Sequence, residues 1–152
     1  MIKYVKGDIV KSKYPVFCQQ VNCKGVMGSG LAKQIRDKYP GVYESYRVAH
    51  ESGRDILGSN HYVYLDDGRV CVCMYAQNEF GRDKQYTDYK AFLACLNGLE
   101  KFCKWYAEKY TTIAFPYKIG CGLGGGDWTV ISEMIEKFSE RVPQRVYIVE
   151  KE

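Results

Sequence analysis

The sequence predicts an α/β fold in which helices cover both faces of a mixed sheet. Three observations predict it. Strand-like and helix-like patterns alternate along the chain. The strand patterns are short and apolar, whereas the longest helix pattern carries apolar residues at steps of three and four. Two glycine-rich stretches, at 25–30 and 120–126, each fall between a strand pattern and a helix pattern.

The elements follow in order. I-K-Y-V at 2–5 reads as a short strand, and Gly7-Asp8 turns the chain. V-F-C-Q-Q-V-N at 16–22 reads as a second, central strand. Helix patterns cover 30–38 and 42–52, and Pro40-Gly41 between them reads as a helix break. H-Y-V-Y-L at 61–65, the turn D-D-G at 66–68 and R-V-C-V-C-M-Y-A at 69–76 form a hairpin signal. A long helix is expected over 88–109, where Phe92, Cys95, Leu96, Leu99, Phe102, Cys103 and Tyr106 make one apolar stripe. T-T-I-A-F at 111–115 is a strand that runs into Pro116. A last helix over 128–140 buries Ile131, Met134, Ile135 and Phe138, and R-V-Y-I-V at 145–149 closes the sheet as its sixth strand. No repeat or linker interrupts this order, so residues 1–152 are read as one domain.

Composition narrows the partners. A net charge of +4, from 22 basic and 18 acidic residues without a Lys/Arg run, is too mild for nucleic acid as the primary ligand. No apolar stretch approaches the roughly 20 residues of a membrane span. The start, M-I-K-Y-V-K-G-D, lacks a signal-peptide core. The seven cysteines are odd in number and sit mostly in apolar patterns, which suits reduced, buried thiols in the cytoplasm. Cys71 and Cys73 are read as facing opposite sides of their strand. Zinc spacing is absent, so neither a metal nor a cofactor is expected. His50 and His61 are read as surface residues rather than catalysts.

The glycine stretches carry the chemistry. Q-V-N-C-K-G-V-M-G-S-G-L at 20–31 takes a strand through a small-residue loop into a helix, and I-G-C-G-L-G-G-G-D-W at 119–128 repeats that order. Small residues let the backbone approach a ligand, and the free N–H groups of a helix start point at it. Two such junctions suggest a pyrophosphate or a phosphorylated sugar held between them. Neither loop ends in the Gly-Lys-Ser/Thr of a P-loop, and residues 25–30 read G-x-x-G-x-G rather than the dinucleotide fingerprint G-x-G-x-x-G.

Four segments in order resemble a known family: V-K-G-D-I (5–9), Q-V-N-C-K-G-V-M-G-S-G-L-A (20–32), Y-P-G-V-Y-E-S-Y (39–46) and F-P-Y-K-I-G-C-G-L-G-G-G-D-W (115–128). The chain resembles a macrodomain, the ADP-ribose-binding fold, over nearly its whole length. It looks most like the branch of the terminal ADP-ribose protein glycohydrolase and the yeast ADP-ribose-1''-phosphate phosphatase. The resemblance implies a three-layer α/β/α fold with a central mixed, mostly parallel six-stranded sheet. It implies that Asp8 accepts from the adenine amino group beside the backbone of Ile9, and that Asn22 holds the distal ribose. Met27, Gly28, Ser29, Gly30 and Leu31 form the first phosphate loop on this reading. Ile119, Gly120, Cys121, Gly122, Leu123 and Gly124 form the second.

Departures bear on catalysis. The glycohydrolase of this branch uses a lysine before the long helix and an aspartate after G-C-G-L, positions that hold Gln77 and Gly124 here. The phosphatase relative has a histidine where this chain has Gln19. Asp127 is the remaining acid, readable as a general acid or base near the distal ribose and equally as a helix N-cap. Lys84 is a substitute amine or a solvated charge. Cys121 is a nucleophile or a small packed residue. Asn22 and Asp8 each have a plain reading too, as turn residues.

The expectation is therefore an ADP-ribose-binding hydrolase, with Asp127 and Asn22 as catalytic candidates, acting on ADP-ribosyl adducts or ADP-ribose-1''-phosphate. The alternative is a non-catalytic reader of ADP-ribose or other NAD-derived metabolites. Expected partners are ADP-ribose or an ADP-ribosylated substrate, no membrane, and nucleic acid only as ADP-ribosylated DNA. The chain is expected to be monomeric and cytoplasmic.

Overall fold

The computed structural model describes residues 1–28 and 30–152. Its elements are β1 (Ile2–Lys6), β2 (Val16–Asn22), α1 (Gly30–Lys38), α2 (Pro40–Glu51), β3 (Asn60–Tyr64), β4 (Val70–Gln77), α3 (Tyr89–Trp105), β5 (Thr112–Pro116), α4 (Trp128–Ser139) and β6 (Arg145–Glu150). The strands form one sheet in the order β1-β6-β5-β2-β4-β3. Every pair is parallel except β3 with β4. The sheet is thus mixed, mostly parallel and six-stranded.

Residue alternation along the strands builds two cores. Val70, Val72, Met74 and Ala76 of β4 pack with Phe92, Leu96 and Leu99 of α3 and with Ile131, Ile135 and Phe138 of α4. Cys71, Cys73 and Tyr75 pack on the other face with Ile35 of α1 and with Val42 and Tyr46 of α2. Each large apolar side chain buried here contributes about 1.5–3 kcal/mol. Helices therefore cover both faces in three layers. Cys71 and Cys73 share one face, against the opposite-face expectation, because residues two apart on a strand project the same way.

Two boundaries differ from the sequence reading. Pro40 and Gly41 begin α2 rather than break a helix, since the fixed φ of proline suits a first helical turn, where its missing N–H is no loss. Helix α3 stops at Trp105, four residues short of the expected end at 109. Tyr110 there stacks back on Phe102 and packs against Tyr106, which turns the chain toward β5.

The C-terminal ends of the parallel strands carry the loops after β1, β2 and β5 on one edge. Strands β2 and β5 pair only at Val16–Ile113 and Phe17–Ala114, and then part. β2 stays with β4 as far as Asn22, and β5 stays with β6 as far as Pro116. From β2 the chain leaves toward β3, and from β5 toward β6. This is a topological switch point, where open α/β sheets form ligand crevices.

One buried charge, just before β4, braces the segment that runs from β1 to β2. Arg69, 6% exposed, donates from Nε to the Tyr14 carbonyl (2.8 Å) and from Nη1 to the Val10 carbonyl (2.7 Å). Its Nη2 donates to the Ile9 carbonyl (2.8 Å), and its guanidinium lies over the Phe17 ring. The loop after β1 has no strand partner, so this fork satisfies carbonyls that would otherwise be buried and unpaired. Arg69→Leu is expected to cost about 3 kcal/mol, because it orphans several buried acceptors at once. Thermal unfolding should show a fall of roughly 10 °C.

Candidate functional site

A cavity of about 750 Å³ fills the gap between the diverging strands. Its floor is Gln19, Gln20, Val21 and Asn22 of β2. One wall is Val26, Met27 and Gly28 with the first turn of α1, Gly30 to Ala32. The facing wall runs from Pro116 through Ile119 to Gly124, and Phe80, Gly81 and Arg82 stand at the rim beside Gln77. The volume lies within the range of small-molecule sites. Among the described lining residues there is no Asp, Glu or His, while Arg82 and Lys118 supply positive charge.

Residues with unpaired backbone donors line this space. The N–H groups of Gly122, Leu123 and Gly124 make no hydrogen bond among the described residues, nor do those of Met27 and Gly28. The orphan N–H groups of the first turn of α1 add to them. The arrangement suits a multiply charged anion spread across both loops.

The first loop is held by Asn22 and Tyr46. Asn22 Oδ1 accepts from the Lys24 N–H (3.0 Å) and its Nδ2 donates to the Val26 carbonyl (2.9 Å). The Tyr46 hydroxyl reaches from α2 to the Asn22 carbonyl (2.7 Å) and to Asn22 Oδ1 (2.8 Å). Burial pushes the Tyr46 phenol up, so it stays a donor at neutral pH. A register shift between Val21 and Asn22 turns Asn22 toward this loop. The amide of Asn22 thus closes the loop on itself, and one Nδ2 hydrogen is left for a ligand.

The second loop rests on a polar network. Gln20 Nε2 donates to Gln77 Oε1 (2.8 Å) and to Thr87 Oγ1 (2.8 Å). Thr87 Oγ1 donates to the Gly120 carbonyl (2.6 Å). The Gly124 carbonyl accepts from the N–H groups of Tyr86 (2.7 Å) and Thr87 (2.9 Å). Gln77 also donates from Nε2 to the Glu79 carbonyl (2.8 Å). A Cβ on Gly124 would lie 2.5 Å from Thr87 Oγ1 and 2.8 Å from the Gly120 carbonyl. Both departures from the glycohydrolase pattern are therefore structural parts of the loop.

The structure sorts the sequence candidates. Asn22, Met27, Gly28, Gly30, Leu31, Ile119, Gly120, Gly122, Leu123 and Gly124 all line the cavity. Ser29 lies outside the described residues. Asp8 and Ile9 lie on the same sheet edge but do not line it. Asp8 Oδ1 accepts from the N–H groups of Val10 (3.0 Å) and Lys11 (3.2 Å) and so forms a turn, with Oδ2 turned toward Lys151. Asp127 caps α4 by accepting from the Thr129 N–H (2.9 Å), and it too stands outside the lining. Cys121 turns its thiol to the Ile119 carbonyl and the core. Burial first, and then the Asp127 charge, push that thiol up to about 11, which removes the nucleophile reading at neutral pH. Lys84 lies over the Tyr86 ring rather than in the cavity.

Neither histidine lines the cavity. His50 Nδ1 pairs with Asp55, and His61 Nε2 with Ser45 Oγ. Sequence reasoning missed Gln20, Tyr46, Thr87, Arg82 and Lys118. Lys118 has φ +60, a left-handed backbone that costs a side-chain-bearing residue about 1–2 kcal/mol. Its place between the strand end and I-G-C-G was the available signal.

Gly124→Asp tests the second loop. It should lower stability by about 2 kcal/mol through overpacking, read as a fall of roughly 5 °C in melting temperature. On this geometry it should not create a catalytic acid.

No protein-family model matches the chain. An uncharacterized 17.5 kDa protein in the tk-vs intergenic region of Enterobacteria phage T4 is 29% identical, over 93% of this chain and 92% of that protein. The DNA ADP-ribosyl glycohydrolase of Mycobacterium tuberculosis is 27% identical over 94% of this chain, which spans only 40% of that enzyme's length. Among solved structures, the macrodomain of Mycobacterium tuberculosis DarG superposes with a TM-score of 0.84 at 24% identity, covering 99% of this chain and 97% of that one. The element order, the parted strands and this likeness along nearly the whole chain agree that the protein has the macrodomain fold.

Proposed function

We propose that the cavity binds ADP-ribose and that the protein hydrolyses ADP-ribosyl adducts. One observation carries the binding half: a cavity with no carboxylate among its described lining residues, flanked by two glycine loops and a helix start, opens at the switch point of the sheet. The pyrophosphate spans the loop from Met27 to Leu31 and the loop from Ile119 to Gly124. The adenine extends toward Asp8, whose Oδ2 accepts its amino group beside the Ile9 backbone. The distal ribose lies toward Asn22, with the free Nδ2 hydrogen on a sugar hydroxyl. No cofactor or metal enters this reading.

The hydrolytic half is supported by the likeness to the mycobacterial DNA ADP-ribosyl glycohydrolase. ADP-ribosylated DNA is accordingly the first substrate to try, followed by glutamate-linked ADP-ribose and ADP-ribose-1''-phosphate. In the adducts, water attacks the anomeric carbon, the bond to the acceptor breaks, and the departing group takes a proton. The loops hold the reacting sugar in place and stabilise the developing charge. Asp127 is the candidate acid or base: its Oδ1 accepts from the Thr129 N–H, and its Oδ2 has no hydrogen-bond partner among the described residues. On this reading the domain is a monomer in the cytoplasm. Its free cysteines suit a reducing compartment.

A second reading, a binding module without chemistry, has its own support. Gln77 and Gly124 are engaged in holding the second loop, and no carboxylate lines the cavity among the described residues.

Calorimetry should detect ADP-ribose binding, and silence at millimolar ligand would sink both readings. Incubation with the three substrates then separates them, since turnover above blank supports the hydrolase and its absence the binding module. Asp127→Ala should remove about 1 kcal/mol of stability through the lost cap. For a catalytic Asp127, turnover should also fall by about 100-fold or more with ADP-ribose affinity kept.

A further inference from the structure

Two tight turns open the second loop, one directly after the other. In the first, the Ile119 N–H donates to the Pro116 carbonyl (3.1 Å), and the third residue is Lys118 at φ +60. In the second, the Cys121 N–H donates to the Lys118 carbonyl (2.9 Å), and the third residue is Gly120 at φ +75. A left-handed third position is where turns take glycine or asparagine, because a Cβ there crowds the backbone. The chain follows that rule at Gly120 and departs from it one turn earlier. Lys118 is the one non-glycine residue with positive φ among those described.

The fold makes little use of the Lys118 side chain. It is exposed, and no hydrogen bond or ion pair holds its ammonium among the described residues. Nζ lies 5.5 Å from the centre of the neighbouring Tyr117 ring, a contact that leaves the ammonium in water. What distinguishes Lys118 is its place. It lines the cavity wall between Tyr117 and Ile119, and only Arg82 at the rim adds a second positive charge to the described lining. A residue held in an unfavourable backbone conformation, contributing nothing visible to packing, points to a role for its side chain.

We infer that Lys118 is a ligand-binding residue whose ammonium meets the pyrophosphate charge held between the two loops. This deepens the ADP-ribose reading and rests on it. The left-handed turn aims the lysine at the cavity, where a glycine would give an easier turn but no charge. Stability and affinity should therefore move in opposite directions when Lys118 is replaced by glycine.

The test compares wild type, Lys118→Gly and Lys118→Arg by thermal unfolding and by calorimetry at two salt concentrations. Lys118→Gly should melt a few degrees higher than wild type, because the turn loses its strain. It should bind ADP-ribose about tenfold more weakly, with a shallower salt dependence. Lys118→Arg should keep most of the affinity without the gain in melting temperature. Equal affinity for ADP-ribose in wild type and Lys118→Gly would overturn the inference. So would a lower melting temperature for Lys118→Gly, since the lysine would then be part of the fold. If wild type does not bind ADP-ribose, the ligand reading fails and inorganic pyrophosphate decides the matter for Lys118. A larger thermal shift with pyrophosphate in wild type than in Lys118→Gly supports the residue's role, and equal shifts refute it.

Discussion

The parting of β2 from β5 is the constraint on which the site depends. Two paired positions join them, against five between β5 and β6 and seven between β2 and β4. Each strand keeps its outer partner and leaves the inner one. Pro116 ends β5, and the Tyr117 N–H then goes to the Val149 carbonyl of β6, so the chain stays on that side. Beyond Phe17 the inner edge of β2 faces a gap, and groups in a gap need polar partners or water. The two glycine loops arise at the lips of that gap because β2 and β5 end there. The cavity is thus a consequence of strand pairing, before any side chain is considered.

Holding the gap open takes side chains from several elements. Tyr46 and Asn22 fix the first loop, whereas Gln20, Gln77 and Thr87 fix the second. Arg69 fixes the segment after β1, where Asp8 and Ile9 sit. Gln77 and Gly124, where the family resemblance leads one to expect a lysine and an aspartate, stiffen the second loop here. Gly124 leaves no room for a side chain, so its identity follows from packing. The described lining is thus rich in backbone donors, whereas no Asp, Glu or His stands among it.

Much of this was legible in the sequence. The glycine stretches announced both loops, because small residues between strand and helix patterns have few other uses. The hairpin was marked by Asp66-Asp67-Gly68 and by the alternation around it. Legibility failed where long-range contacts decide. Nothing near Arg69 in the sequence tells that it serves three carbonyls around 60 residues away. Asp127 has the same sequence signature whether it caps a helix or acts on a substrate; the structure shows the cap and a place outside the cavity lining. Tyr46 sat in a segment matched by resemblance, yet its bond to Asn22 needed α2 laid against β2. Lys118 escaped notice because a positive φ leaves no mark when a lysine adopts it.

The central claim is that the gap between β2 and β5 holds ADP-ribose with its pyrophosphate on both loops. A crystal structure of the protein with ADP-ribose tests it most directly. The account predicts pyrophosphate oxygens within hydrogen-bond distance of N–H groups from the first turn of α1 and from Gly122 to Gly124. It also predicts adenine beside Asp8 and the distal ribose beside Asn22. Pyrophosphate bound elsewhere, or touching only one loop, would contradict it.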